Sequence, residues 1–165
     1  MKASDLFVKC LETEGVTKIF GIPGEENADL MISLKKSKIE FVLCRHEQAA
    51  AFMADVYGRL TGKAGVCLAT LGPGVTNLMT GLADANMDRA PVVAIIGQGS
   101  TERLHKESHQ IMDSISMVAP ISKWAQTILS AKNVTEVIRK AFKVAETEKP
   151  GVTVIELPED VAKEE

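Results

Sequence analysis

Arg45-His46-Glu47-Gln48-Ala49-Ala50-Ala51 stands where two patterns meet. The apolar run Phe41-Val42-Leu43-Cys44 comes before it, and a helical pattern reaching Leu60 follows. A short buried strand that passes straight through charged residues into an alanine-rich helix puts those residues at the carboxyl edge of a sheet, where open α/β sheets bind ligands. Two readings of Glu47 follow from the residues. In one it is a carboxylate in a helix first turn, favoured there by a few tenths to about 1 kcal/mol. In the other it is a carboxyl aimed into a closed site, beside alanines that let another surface come close. Burial disfavours the charged form of a carboxyl and a helix amino terminus favours it; burial is the larger effect.

Three further groups of residues could do chemistry. Gly72-Pro73-Gly74-Val75-Thr76-Asn77 lies between a strand pattern and a helix pattern, close to the dinucleotide fingerprint G-x-G-x-x-G. Asn77 replaces its third glycine, and no acidic residue is placed to hold a ribose hydroxyl, so a nicotinamide site is disfavoured. A tight turn that brings a ligand close to backbone amides remains open. His105-Lys106-Glu107-Ser108-His109 has two histidines four apart, but Glu107 would lie about 200° round a helix from the first, away from any shared zinc ion. Polarity of an exposed loop is the better account. Cys10, Cys44 and Cys67 form no Cys-x-x-Cys pair, and the last two sit in apolar runs where a buried, inert thiol is expected.

The elements that must position these groups alternate. Ser4 is placed to cap a helix with Leu6, Phe7, Cys10 and Leu11 on one face, closed by Gly15. Strands are expected at residues 18–22, 41–44, 66–70, 92–96, 124–129 and 152–157. Helices are expected at 25–34, 46–60, 76–85 and 134–145, with a short one near 110–117 in an otherwise irregular stretch. That alternation predicts an α/β fold: a doubly wound, mostly parallel sheet of about six strands with helices on both faces. Parallel strands deliver Pro23-Gly24, Arg45-His46-Glu47, Gly72-Pro73-Gly74 and Gly97-Gln98-Gly99 to one edge.

At 165 residues, 45% hydrophobic and with net charge −3, the chain is long enough for one domain with its own core. It shows no basic cluster that would suit nucleic acid, no apolar run of about 18 residues that would span a membrane, and no signal-peptide core. A cytoplasmic location is the default expectation.

Four motifs in order, Gly21-Ile22-Pro23-Gly24, Arg45 to Ala54, Gly72 to Asn77 with Gly81-Leu82-Ala83-Asp84-Ala85, and Pro91 to Gln98, resemble the amino-terminal pyrimidine-binding domain of thiamine-diphosphate-dependent enzymes, acetolactate synthases in particular. The resemblance covers residues 1–160, with 161–165 as the start of a linker, and implies that the middle and diphosphate-binding domains are absent from this chain. It implies that Glu47 is catalytic, bonding ring nitrogen N1′ of the cofactor's aminopyrimidine so that its imino form can take the proton of the thiazolium carbon. Gly24, Pro73 and Asn77 would line the cofactor, while His109 and Gln110 would face the substrate.

The implied reaction is decarboxylation of pyruvate and condensation of the resulting enamine with a second 2-oxo acid. The implied cofactors are thiamine diphosphate and Mg2+, the metal held by the missing domain. His109-Gln110-Ile111-Met112-Asp113 looks like the catabolic type, which leaves the need for FAD and the second substrate open. The implied assembly is a homodimer or dimer of dimers through this domain, with the site closed by the diphosphate-binding domain of the partner subunit. Ala49, Ala50, Ala51, Ala54, Gly81 and Ala85 would pack across that interface, and the chain alone would be inactive. The residues by themselves leave two rivals: a nucleotide-binding module on a similar sheet, and a domain that makes only protein contacts.

Overall fold

The computed structural model describes residues 1–165. In chain order its strands are β1 Lys18–Gly21, β2 Glu40–Leu43, β3 Gly65–Ala69, β4 Val92–Gln98, β5 Trp124–Thr127 and β6 Val152–Pro158. Its helices are α1 Ala3–Thr13, α2 Ala28–Leu34, α3 Glu47–Thr61, α4 Pro73–Met87, α5 Ser114–Val118, α6 Val134–Glu146 and α7 Glu159–Lys163. No helix is long and apolar enough to cross a membrane.

The strands form one sheet in the order β2-β1-β3-β4-β6-β5, every pair parallel. The three most continuously apolar runs, β3, β4 and β6, are buried along their whole length and take interior positions, as strands covered on both faces must. The shorter β2 and the polar-interrupted β5 take the edges. Helices cover both faces, as a doubly wound sheet requires. Phe7 and Leu11 of α1, Leu30 and Leu34 of α2, Ile138 and Phe142 of α6 and Val161 of α7 share one core layer with Ile19, Leu68, Ile95 and Ile155. Ala50, Ala51 and Ala54 of α3, Val75, Leu78 and Leu82 of α4 and Val118 of α5 share the other with Cys67, Ala94, Ile96 and Val154. Thus β1 leads over one face outward to β2, and β3 leads over the opposite face to β4. Their carboxyl ends flank the point at which the winding reverses.

Several elements differ from the sequence expectation for local reasons. Ser4 does not cap α1. It is buried inside the first turn, 3.0 Å from the Ser33 hydroxyl, which donates to Asp5 at 2.8 Å. Helix α2 begins at Ala28 rather than residue 25, because Asn27 Oδ1 accepts the Gly24 N–H at 2.8 Å and holds Glu25 and Glu26 in a turn. Helix α4 begins three residues early, at Pro73, whose missing N–H and fixed φ suit a first helical position. Residues 110–113 are not helical. Asp113 instead caps α5, accepting from Ser116 N at 3.1 Å and Ser116 Oγ at 2.6 Å, and those bonds lower its pKa. At the carboxyl end, Val161 and Ala162 of α7 are buried and Lys163 is exposed.

The small residues of α3 and α4 also face inward, contrary to expectation. A Cβ on Gly65 would lie 2.0 Å from the Ala54 carbonyl oxygen, and one on Gly81 would lie 2.6 Å from Ala51 Cβ. Ala50, Ala51, Ala54, Gly81 and Ala85 are consumed in packing α3 against β3 and α4 within this chain. The outward face of α3 carries Met53, Val56 and Leu60 instead, 44%, 50% and 81% exposed.

At the carboxyl ends of β4, β5 and β6, Gln98 Nε2 donates to Glu156 Oε1 at 2.9 Å and Thr127 Oγ1 donates to Oε2 at 2.6 Å. Burial raises the Glu156 pKa, and hydrogen bonds from Thr127, Gln98 and Ser114 only partly oppose it. A carboxyl raised in the folded state binds more protons there than unfolded, so stability falls as pH rises. The fall starts near the ordinary value of about 4.3 and runs through the raised one. Glu156→Gln should therefore gain stability relative to the unaltered chain between pH 4 and pH 8. Urea denaturation across that range checks it; parallel stability curves would remove Glu156 as the source.

Candidate functional site

Strand β2 ends, His46 turns the chain, and Glu47 begins α3. His46 caps the helix, its Nδ1 accepting the Gln48 N–H at 3.1 Å, so the residue before Glu47 has a structural duty. Glu47 is only 9% exposed despite its place at a helix start. Its Oε2 accepts Asn77 Nδ2 of α4 at 2.9 Å, and Oε1 takes no hydrogen bond from the chain. That free oxygen lies 3.7 Å from where a Cβ on Gly74 would stand. Glu47, Pro73-Gly74 and Asn77 are thus brought together, with one carboxyl oxygen fixed and the other available.

Gly72 makes the turn that starts α4. Its φ of +55° suits glycine, and a Cβ there would lie 2.7 Å from the Gln110 carbonyl oxygen and 2.9 Å from Gln110 Cβ. Gln110 itself holds a φ of +54°, a conformation that costs a non-glycine residue about 1–2 kcal/mol. The loop after β4 is therefore pressed onto the α4 start, which brings Gln110 against Gly72 at the amino end of the helix that carries Asn77. The side chains of His109 and Gln110 are both exposed.

Three glycines converge on Thr70, at the end of β3. A Cβ on Gly24 would meet the Thr70 side chain at 2.5 Å, one on Gly74 would meet Thr70 Cγ2 at 3.2 Å, and one on Gly97 would lie 3.5 Å from Thr70 Cα. Thr70 Oγ1 donates to Glu26 at 2.9 Å. Nearby, Asn27 is buried with its Nδ2 unpartnered. Sequence reasoning missed Thr70, Glu26 and Asn27. The signal was the recurrence of glycine after β1, β3 and β4, whose shared neighbour only the folded sheet identifies.

The crevice lies beyond the carboxyl ends of β1 and β3, at the reversal of winding, where such folds bind ligands. None of the five leading clefts takes in Glu47. The largest, about 440 Å³, lies along the same edge over β4, β5 and β6, lined by Gln98, Met112, Thr127 and Glu156. It takes in Gln98, His105, Lys106, Ile111, Met112 and Asp113 from the sequence motifs, but none of Gly24, Glu47, Pro73, Asn77, His109 and Gln110. Glu47 with a free oxygen and the unpartnered Asn27 amide fit a flat ring with donors and acceptors on its rim, as an aminopyrimidine has.

The other candidate chemistry is not assembled. Cys67 is fully buried and desolvation pushes its thiol up to about 12; burial raises Cys44 as well, so neither is a thiolate at neutral pH. His105 and His109 sit on a non-helical segment, and no three His, Cys, Asp or Glu side chains gather in metal-binding geometry.

Comparison with known proteins gives concordant matches. A family profile described as thiamine pyrophosphate enzyme, N-terminal TPP binding domain, matches residues 1–117. The catabolic acetolactate synthase of Raoultella terrigena is 44% identical over 158 residues, covering 96% of this chain and 28% of that protein. The probable acetolactate synthase large subunit of Methanocaldococcus jannaschii is 42% identical over 161 residues, 98% of this chain and 27% of that protein. Acetolactate synthase of Bacillus subtilis is 40% identical over 163 residues, 99% of this chain and 29% of that protein. The chain spans less than a third of the length of these relatives.

The Glu47–Asn77 bond is open to measurement in this chain alone. Asn77→Ala removes the donor to a buried carboxylate oxygen and should lower stability by about 1–3 kcal/mol. A double-mutant cycle with Glu47→Ala, read by urea denaturation, should give a coupling of at least about 0.5 kcal/mol. Additive effects would mean that the two side chains are not bonded.

Proposed function

The chain belongs to the thiamine pyrophosphate enzymes, as their N-terminal TPP-binding domain, and from that premise we propose that it is the pyrimidine-binding part of an acetolactate-synthase-like enzyme of the cytoplasm. The whole enzyme would decarboxylate pyruvate and join the remaining two-carbon unit to a second 2-oxo acid. The observation that carries this reading is the Glu47 carboxyl, with Oε2 tied to Asn77 and Oε1 free in the crevice between the ends of β1 and β3.

When bound, thiamine diphosphate supplies the carbon nucleophile that adds to the 2-oxo acid and accepts the electrons released as carbon dioxide leaves. Glu47 would present its free Oε1 to the ring nitrogen N1′ and exchange a proton there. Asn77 fixes the other oxygen, so that Oε1 keeps one direction. Gly24 and Gly74 let the chain close tightly on Thr70 behind the crevice, and Pro73, exposed at the start of α4, would stand beside a planar ring. Gln110, pressed against Gly72, and His109 take the substrate side. Mg2+ and the diphosphate fall, on this reading, to the part of the relatives' length that this chain does not span. That none of the leading clefts encloses Glu47 supports that division, because proton chemistry at a buried carboxyl needs a second wall to exclude water.

The second wall would come from a partner subunit, in a homodimer or dimer of dimers. The surface we assign to self-association is the outer face of α3, where Met53, Val56 and Leu60 repeat at helical spacing and are exposed.

Two measurements test the reading. In the assembled enzyme, Glu47→Gln should slow hydrogen-deuterium exchange at the thiazolium carbon by about 10² to 10⁴, or roughly 3 to 5 kcal/mol of barrier. An unchanged rate would take Glu47 out of the mechanism. The isolated chain should fold, self-associate and turn over no pyruvate, and Val56→Glu with Leu60→Glu should weaken association at least about tenfold by sedimentation. A strict monomer at millimolar concentration, or turnover by the chain alone, would overturn the assignment of an incomplete half-site.

A further inference from the structure

The turn that carries His109 and Gln110 is closed by one backbone bond, in which the Ile111 N–H donates to the Ser108 carbonyl oxygen at 3.2 Å. His109 and Gln110 are its central residues, and the positive φ of Gln110 falls at the third position, where such turns ordinarily carry glycine or asparagine. Both side chains are exposed, so burial of neither offsets the cost of that conformation. A strained backbone of this kind persists only where its surroundings over-determine it.

The surroundings engage the turn at three points. Gln110 lies on Gly72, and Ile111 lies on Gly99, where a Cβ would stand 2.8 Å from Ile111 Cδ1 and 3.9 Å from Arg103 Cζ. At Ser108 the contact is Arg103, whose Nε and Nη2 donate to the Ser108 hydroxyl oxygen at 3.1 and 2.9 Å. Arg103 is fixed in turn by α7: its Nη1 donates to Glu159 Oε1 at 3.3 Å, and the nearby Thr101 N–H donates to both Asp160 oxygens at 3.0 and 3.1 Å.

The two glycine contacts are van der Waals contacts, which carry little direction. The guanidinium supplies two charge-assisted hydrogen bonds from a rigid fork, which set orientation as well as distance. Its pairing with Glu159 is half open to solvent, at 38% and 20% side-chain exposure, and adds little stability by itself. The pair matters as an anchor, because α7 is seated on the domain through the buried Val161 and Ala162.

We propose that Arg103 is a positioning residue for the substrate: through the Ser108 hydroxyl it holds the strained turn that presents His109 and Gln110. The inference rests on those two residues facing the substrate, as proposed above, and deepens that reading by naming what fixes them. Arg103 bonds neither Glu47 nor Asn77, so proton exchange at the cofactor ring does not depend on it.

Two measurements separate the parts of the inference. In this chain alone, Arg103→Ala should speed hydrogen exchange at the Ile111 amide about tenfold by NMR, with the amides of β3 and β4 as protected as before. An unchanged Ile111 rate would overturn the hold of Arg103 on the turn. In the assembled enzyme, Arg103→Ala and Ser108→Ala should each raise the KM for pyruvate about tenfold, and the double variant should do no more, because they remove one contact. Ser108→Thr, which keeps the hydroxyl, should restore the original KM. Affinity for thiamine diphosphate and hydrogen-deuterium exchange at the thiazolium carbon should stay within a few fold throughout, which a general loss of structure would not allow. A freed Ile111 amide with an unchanged KM would overturn the positioning role, leaving the part of Glu47 intact. An unaltered protein that binds no thiamine diphosphate would overturn the function proposed above, and the role in substrate positioning with it.

Discussion

The close approach of α3 to β3 and α4 is the constraint on which the site depends. Gly65 meets the Ala54 carbonyl, Gly81 meets Ala51, and Gly58 meets the Pro91 carbonyl at distances no Cβ would tolerate. Dense packing of this kind transmits displacement, because the neighbours cannot give. At the far end of the same helix pair, Arg59 of α3 bonds Asp55 at 2.7 and 2.8 Å and reaches across to Asp84 at 3.1 Å and Asp88 at 2.6 Å on and just beyond α4. Three carboxylates around one guanidinium fix the axial register of α3 against α4. Two turns or more away, that register decides whether Glu47 meets Asn77.

The fold was legible in the sequence where one physical rule dominated. Continuous apolar runs at β3, β4 and β6 have no exposed position to fill, and their alternation with helical patterns leaves a parallel sheet as the only arrangement that covers both faces. Legibility failed where a side chain had two possible local duties. Ser4 has the type of a helix cap but is drawn inside by Ser33, and Glu25 and Glu26 have the type of first-turn acids but are held in a turn by Asn27. The alanines and glycines of α3 and α4 signal close packing in either direction. Which helix face turns inward is settled by the sheet beneath, which composition does not describe.

The site divides in the same way. Glu47, Asn77 and the Gly72-Pro73-Gly74 turn stand at junctions between a strand pattern and a helix pattern, so their types and their place point to one edge. Thr70 and Glu26 do not stand out. A threonine closing a strand and a glutamate after a turn are ordinary, and their role comes from three glycines that lie far apart in the chain, at 24, 74 and 97. Convergence of that kind is a property of strand order, and strand order is where a sequence of alternating elements is least informative: β6 lies between β4 and β5 although it follows both.

Helix α3 joins these two levels. Its inner face is made of residues too small to yield, its first residue is the carboxyl of the site, and its outer face carries Met53, Val56 and Leu60 in the open. A surface that covers that outer face must therefore act on a rigid body. It can translate or hold α3 as a whole, but it cannot reshape it locally without breaking the contacts of Gly65 and Gly81. Covering the stripe and fixing the position of Glu47 are then one event. A site built this way gains its second wall and its final geometry together, and on the proposed reading that is why a chain with a complete core of its own still carries an incomplete crevice.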